Sequence, residues 1–96
     1  MYNDIKYYKN GKIQYERIID SDGVQNGVEK WYWESGHIWY ETSYLNNKIH
    51  GIRKRYTNKG IIANIEFWYN DEMVTEEFYT ESNRQDKLNK ILKKRE

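Results

Sequence analysis

Glycines at positions 11, 36 and 60 stand 25 and 24 residues apart, and the residues around them recur with them. Four residues before each is a tyrosine (Tyr7, Tyr32, Tyr56), and two after each is an isoleucine (Ile13, Ile38, Ile62). Eight after each is a large apolar residue (Ile19, Tyr44, Trp68). A period near 24 in a chain of 96 residues describes one supersecondary unit used three times, with the start of a fourth. The unit is plainest from Glu29 to Gly51. An aromatic run, Trp31 to Trp33, is followed by Glu34-Ser35-Gly36, with glycine where a tight turn needs positive φ, and then by a second β-prone run from His37 to Tyr44. That is a β-hairpin. Gly27 and Gly51 mark the second turn of the first two units, the latter in Asn46-Asn47-Lys48-Ile49-His50-Gly51. The fold class that follows is mainly β: a single-domain antiparallel meander of three to four repeated hairpins in one twisted sheet.

The last quarter of the chain departs from the repeat. Glu76 to Asn83 superposes on Glu29 to Gly36, with asparagine in place of the glycine, and reads as a fourth first strand. Beyond it Leu88, Ile91 and Leu92 fall at i, i+3, i+4, with Asp86 early and Lys93, Lys94 and Arg95 late, so Asp86 to Arg95 is predicted as a short amphipathic helix. The expected organisation is a repeat sheet over 1–83 and a basic helical tail or cap over 84–96.

The YxxxGxI motif, followed by an aromatic residue and an Asn-Asn-Lys-Ile-His-Gly turn, resembles the MORN-type repeat. It is most similar to the shorter bacterial variant found in antitoxin-like components of toxin–antitoxin systems. The resemblance spans about residues 5–83 and rests on Tyr7, Gly11, Ile13; Tyr32, Gly36, Ile38, Tyr44, Gly51; and Tyr56, Gly60, Ile62. It implies successive antiparallel hairpins in one twisted sheet, and attachment to proteins or membranes rather than catalysis. Two departures, Thr75 where unit three should close with glycine and the helical ending, fit a C-terminal cap, which linear repeat arrays need.

Strict alternation from the hairpin turns assigns two faces, with Trp33 opposite His37, Tyr32 opposite Ile38 and Trp31 opposite Trp39. One face then carries Tyr7, Ile13, Tyr15 and Ile19; Tyr32, Ile38, Tyr40 and Tyr44; and Tyr56, Ile62 and Trp68. An apolar stripe recurring in every unit is the expected core. The other face changes from unit to unit and gathers Trp31, Trp33, His37 and Trp39 in unit two and Arg53 and Arg55 in unit three, with Lys6 and Lys12 beside them. Tryptophan and arginine are the types most enriched at interface hot spots, so Trp31, Trp33, His37, Trp39, Arg53 and Arg55 are the candidate partner-binding residues. Two readings of this patch stand: a free binding surface, or the seat of the C-terminal helix. A second candidate contact is the acidic segment Asp71, Glu72, Glu76, Glu77 and Glu81, whose alternative role is a solvating edge strand that resists sheet-to-sheet pairing.

Composition removes most other classes. There is no cysteine, and His37 and His50 are the two imidazoles, so disulfides, thiolate metal sites and recognised zinc spacings are missing. Nucleophile elbows and phosphate-cradling glycine loops are also missing. Glu34, Glu41 and Glu66 read as solvated sheet charges rather than an acid/base pair. We therefore expect no catalytic residue, cofactor or metal. The opening MYNDIKYYKN has no apolar segment and no run approaches the ~18 residues that cross a bilayer, which points to a cytoplasmic protein outside the membrane. A net charge of +1 supplies no global pull towards nucleic acid. The functional expectation is a non-enzymatic protein-interaction module: a small inhibitor, antitoxin or immunity-type protein, of a kind carried by phages or mobile elements, that blocks a larger protein target. A second copy of the chain is a further candidate partner. The alternative is single-stranded nucleic acid stacked on the tryptophans beside Arg53 and Arg55.

Overall fold

A computed structural model describes the backbone of residues 2–94 and the side chains of residues 3–90. Seven strands form one antiparallel sheet in chain order: β1 (Tyr2–Tyr7), β2 (Ile13–Ile19), β3 (Gly27–Tyr32), β4 (Ile38–Leu45), β5 (Lys48–Tyr56), β6 (Ile62–Tyr69) and β7 (Glu72–Val74), followed by helix α1 (Glu76–Lys94). The predicted meander of hairpins is thus the observed fold. Its extents of 55 × 33 × 18 Å are those of a single sheet, not a sandwich.

The recurring glycines close the three main hairpins through one geometry. In the second, Trp33 N–H donates to the His37 carbonyl at 2.8 Å and Gly36 N–H to the Trp33 carbonyl at 2.9 Å, with Gly36 at φ +100°. Gly11 and Gly60 repeat this pattern with Tyr8 and Thr57. This is the three-residue loop with a left-handed third residue that the spacing predicts. The turns between units are tighter: Asn46-Asn47 and Asn70-Asp71 take φ of 50° and 69°, and 48° and 69°. Their side chains tie each turn to its predecessor 22 residues back, Asn47 Oδ1 accepting from Gln25 N–H at 2.8 Å and Asp71 Oδ1 from Ile49 N–H at 2.6 Å. Gly51, which the motif suggests as part of the turn, lies inside β5.

Two expectations are corrected. First, the faces are not those of strict alternation. In each hairpin the register slips by one residue, leaving Gln14, Trp39 and Ala63 as the extra residues of three β-bulges: Tyr7 faces Ile13 but Lys6 faces Tyr15, Tyr32 faces Ile38 but Trp31 faces Tyr40, and Tyr56 faces Ile62 but Arg55 faces Asn64. Because side chains alternate, one extra residue moves everything downstream to the opposite face. The stripe expected as a core is therefore split. Tyr7, Ile13, Tyr32, Ile38, Tyr56 and Ile62 keep one face, whereas Tyr15, Tyr40, Tyr44 and Trp68 join the tryptophans on the other. Burial agrees with a thin core: Ile19 and Thr42, at 8% and 4% exposure, are among the few buried side chains, while Tyr7, Ile18, Val28, Ile62 and Ile65 on the isoleucine face are all more than a third exposed.

Second, Glu76 to Asn83 is helical rather than a fourth copy of the first strand, and α1 begins ten residues before Asp86. Thr75 caps it: its Oγ1 accepts from Phe78 N–H at 3.1 Å, and Glu76 and Glu77 occupy the first turn, where carboxylates offset the positive end of the helix. A strand there would be paired on one side only, by the three-residue β7, whereas Arg84 onward holds good helix formers through which the helix propagates backwards. The helix docks on β6 through Tyr79 against Phe67 and Phe78 edge-on to Tyr69, at centroid distances of 5.5 and 5.8 Å. Phe67 and Tyr69 lie on the isoleucine face, so α1 does not cover the tryptophans. Leu88 is exposed, and the side chains of Ile91 and Leu92 lie outside the described residues. Among the described residues no helix is long and apolar enough to cross a membrane.

Candidate aromatic interface

The bulge at Trp39 builds the site. With Trp39 displaced from the ladder, its ring stacks on Trp33 at 4.4 Å and tilts against Tyr40 at 5.2 Å. One strand away Trp31 stacks on Tyr15 at 4.8 Å. Between them opens a groove of about 340 Å³, floored and walled by Trp31, Trp39, Tyr40, Tyr44, Ile49 and Arg53, with Glu29 and Thr42 supplying polar groups. Arg53 lies over the Tyr40 ring at 4.7 Å, and its Nη1 is 3.9 Å from Glu66 Oε1. Its Nε is buried without a partner. A buried donor left without a hydrogen-bond partner costs free energy, which the contact of the guanidinium with the Tyr40 ring partly offsets.

The six candidate residues divide by what already holds them. Trp31 Nε1 donates to Glu29 Oε1 on its own strand at 2.6 Å, and Trp33 Nε1 donates across the sheet to the Tyr56 carbonyl at 3.3 Å, so both indole nitrogens are already engaged. Trp39 Nε1 donates to no group among the described residues. Arg53 is in the groove, and Arg55, exposed, lines a smaller recess beside it with Tyr40, Asn64 and Glu66. His37 is brought elsewhere: it is exposed at the hairpin tip and leans on the next turn, its Nδ1 facing Gly60. Lys12, expected at the rim, donates to the Ser35 carbonyl at 2.8 Å.

The acidic segment does not form one surface. Asp71 caps a turn, Glu72 stands on β7, and Glu76, Glu77 and Glu81 lie on α1, where Glu81 sits 3.4 Å from Arg84. The edge-strand role considered for this run applies to Glu72 alone. Tyr40, Tyr44 and Ile49, which the groove needs, were assigned to the core or to no site by strict alternation. A signal for them existed: Gln14, Trp39 and Ala63 are an amide, an indole and a methyl at one repeat position, the tolerance expected of a residue outside the ladder.

On the other face, tyrosine hydroxyls join consecutive units. Tyr32 donates to Glu16 Oε1 at 2.6 Å and Tyr56 to Glu41 Oε1 at 2.5 Å. Burial, then the bond to Glu16, pushes the Tyr32 phenol up to about 12, and the bond to Glu41 raises Tyr56. A raised folded-state value stabilises the fold while the phenol is neutral. The contribution is whole below the unfolded-state value near 10 and disappears as pH rises through the folded one. The urea midpoint is expected to fall between about pH 10 and 12, and Tyr32→Phe to make that fall shallower. An identical pH profile in the variant would show that Tyr32 carries none of it.

The model of the MORN repeat variant family matches residues 5–18 and 25–46, which are the first hairpin and the unit that carries the groove. No curated protein and no solved structure gives a match. The family is generally a repeat-based binding module rather than an enzyme, in keeping with a groove of stacked aromatics and a single unpaired guanidinium nitrogen. The matched segments lie on hairpins that share one turn geometry, so the chain carries MORN-type repeats over residues 5–18 and 25–46.

Proposed function

We propose that this chain is a non-enzymatic inhibitor or antitoxin-type module that docks on and blocks a larger protein through the tryptophan face of its sheet. The observation that carries the reading is the open groove between Trp31 and Trp39, left uncovered because α1 packs on the opposite face. Its mixture of aromatic walls and the half-buried Arg53 side chain, with exposed Arg55 beside it, suits an apolar anchor bearing a carbonyl or carboxylate acceptor. Nucleic-acid stacking is less well supported, because Trp33 and Trp39 already occupy each other's ring faces and Arg53 is engaged by Tyr40 and Glu66.

Three baits test it: the full chain, Trp39→Ala and Arg55→Glu, each checked for native circular dichroism and used to capture partners from a lysate. Trp39→Ala forfeits mainly one aromatic stack, on Trp33, and Arg55 is exposed, so both variants are expected to fold. A stoichiometric protein captured by the full chain is expected to be lost, by roughly tenfold or more, from both. Equal capture by all three baits would place the contact elsewhere. Recovery of single-stranded nucleic acid with steep salt dependence would favour stacking instead.

A further inference from the structure

Of the two edges of the sheet, one is blunted and one is open. β7 has three residues, carries Glu72 and leads at once into α1, whereas β1 is six residues long and pairs on one side with β2. The direction of its backbone groups follows from the first hairpin. Tyr8 N–H donates to the Lys12 carbonyl at 2.8 Å and the Tyr8 carbonyl accepts from Gly11 N–H at 3.0 Å, so both its backbone groups point inward. Antiparallel alternation has period two, hence Lys6 and Asp4 also point inward, and the N–H and C=O groups of Asn3, Ile5 and Tyr7 face out from the edge.

We propose that β1 pairs antiparallel with β1 of a second copy of this chain, centred on Ile5, joining two seven-stranded sheets into one. Around that two-fold axis Ile5 lies opposite Ile5, Asn3 opposite Tyr7, and Asp4 opposite Lys6 twice. The outward groups of Asn3, Ile5 and Tyr7 then bond to one another, and the Asp4–Lys6 pairs fall at the non-hydrogen-bonded positions, where side chains approach most closely. Charge fixes the register. Sliding by two residues, the step that keeps outward groups facing each other, sets Asp4 against Asp4 in one direction and Lys6 against Lys6 in the other, and like charges directly opposite destabilise a sheet. Asp4 holds Arg17 through Oδ2 at 2.8 Å, which leaves Oδ1 for the second copy's Lys6. Tyr7, 57% exposed, gains a neighbouring strand to cover it. The two-fold arrangement is isologous, so the sheet closes at two copies instead of growing. This inference does not rest on the tryptophan-face reading, since that face stays open in the dimer.

Sedimentation of the full chain over a concentration series is expected to give twice the 11.9 kDa chain mass. Lys6→Asp places Asp4 opposite an aspartate and is expected to weaken the dimer by at least roughly tenfold. Ile5→Pro deletes an outward N–H that no strand of the same chain uses, and is expected to give a monomer with unchanged circular dichroism. Lys6→Asp mixed with Asp4→Lys restores both opposite-charge pairs, so a heterodimer is expected from two variants that do not self-associate. A monomer at every concentration, or a dimer indifferent to both Lys6→Asp and Ile5→Pro, would overturn the proposal.

Discussion

Gly51→Ala is expected to cost about 3 kcal/mol, the sum of left-handed strain (~1–2 kcal/mol) and overpacking (~1–3 kcal/mol). Gly51 has φ +126°, and a Cβ placed there would lie 2.9 Å from Ser43 Cβ and 3.3 Å from Ser43 Oγ, with the Tyr79 hydroxyl of α1 on its other side at 3.8 Å. The first of these contacts cannot be relieved by a rotamer, because Ser43 Cβ is fixed to the backbone of β4. Ser43 is also the residue skipped where the β4–β5 register shifts between Thr42 and Tyr44, so the two backbones approach closely there because position 51 has no side chain. Gly11→Ala is the matched control: its φ is +87° but nothing lies within 4 Å, and the strain alone predicts about 1 kcal/mol. For a domain of this size 1 kcal/mol moves Tm by roughly 4–8 °C, so the two variants separate clearly in a thermal or urea melt. Equal losses at the two positions would mean that the β4–β5 contact relaxes freely.

The same comparison shows what the sequence could and could not disclose. The period, the three hairpin loops and the sheet class were legible because they depend on local chemistry: glycine or asparagine where φ is positive, and β-prone runs between. The face assignment failed at Gln14, Trp39 and Ala63 because a bulge is a pairing defect between strands, visible in a sequence only as a position whose residues have nothing in common. The site was affected accordingly. The tryptophans were found by type, whereas Tyr40 and Tyr44 were placed on the wrong side of the sheet. The helix start was missed for a different reason. Glu76 to Asn83 carries the local pattern of a first strand, but Thr75 caps a helix there, with Glu76 and Glu77 in its first turn, and the segment joins the helix that follows. Gly51 and Thr75 occupy the same place in successive units, yet one permits close strand approach and the other caps a helix. Repeat position alone cannot distinguish those roles.

Trp31→Ala is expected to open the first hairpin before the rest of the sheet. β2 and β3 are registered at Tyr15 with Trp31 and at Glu16 with Lys30, joined by an isolated bridge between Ile19 and Gln25, whereas β3–β4 and β5–β6 are paired along their length. Side chains must therefore hold unit one to unit two. Trp31 does so by stacking on Tyr15, and its indole N–H also fixes Glu29 on the same strand, whose other oxygen accepts from the buried Gln25 amide at 2.7 Å in the connecting turn. Removing the ring forfeits both, and for a half-buried tryptophan about 3 kcal/mol is the scale, at the low end of core truncations. In a linear array stability is close to a sum of unit and interface terms, so the loss is expected to localise. Native-state hydrogen exchange should show faster opening of β1 and β2 amides while β4 to β6 keep theirs. A uniform drop across the sheet would instead make the array one cooperative unit. Trp39→Ala forfeits mainly its stack on Trp33, worth about 0.5–1.5 kcal/mol, and should leave the exchange of β1 and β2 unchanged. The two tryptophans differ in their contacts although both line the groove: Trp31 stacks across from repeat to repeat, whereas Trp39, displaced by its bulge, stacks within one hairpin, so its loss is expected to perturb the fold least.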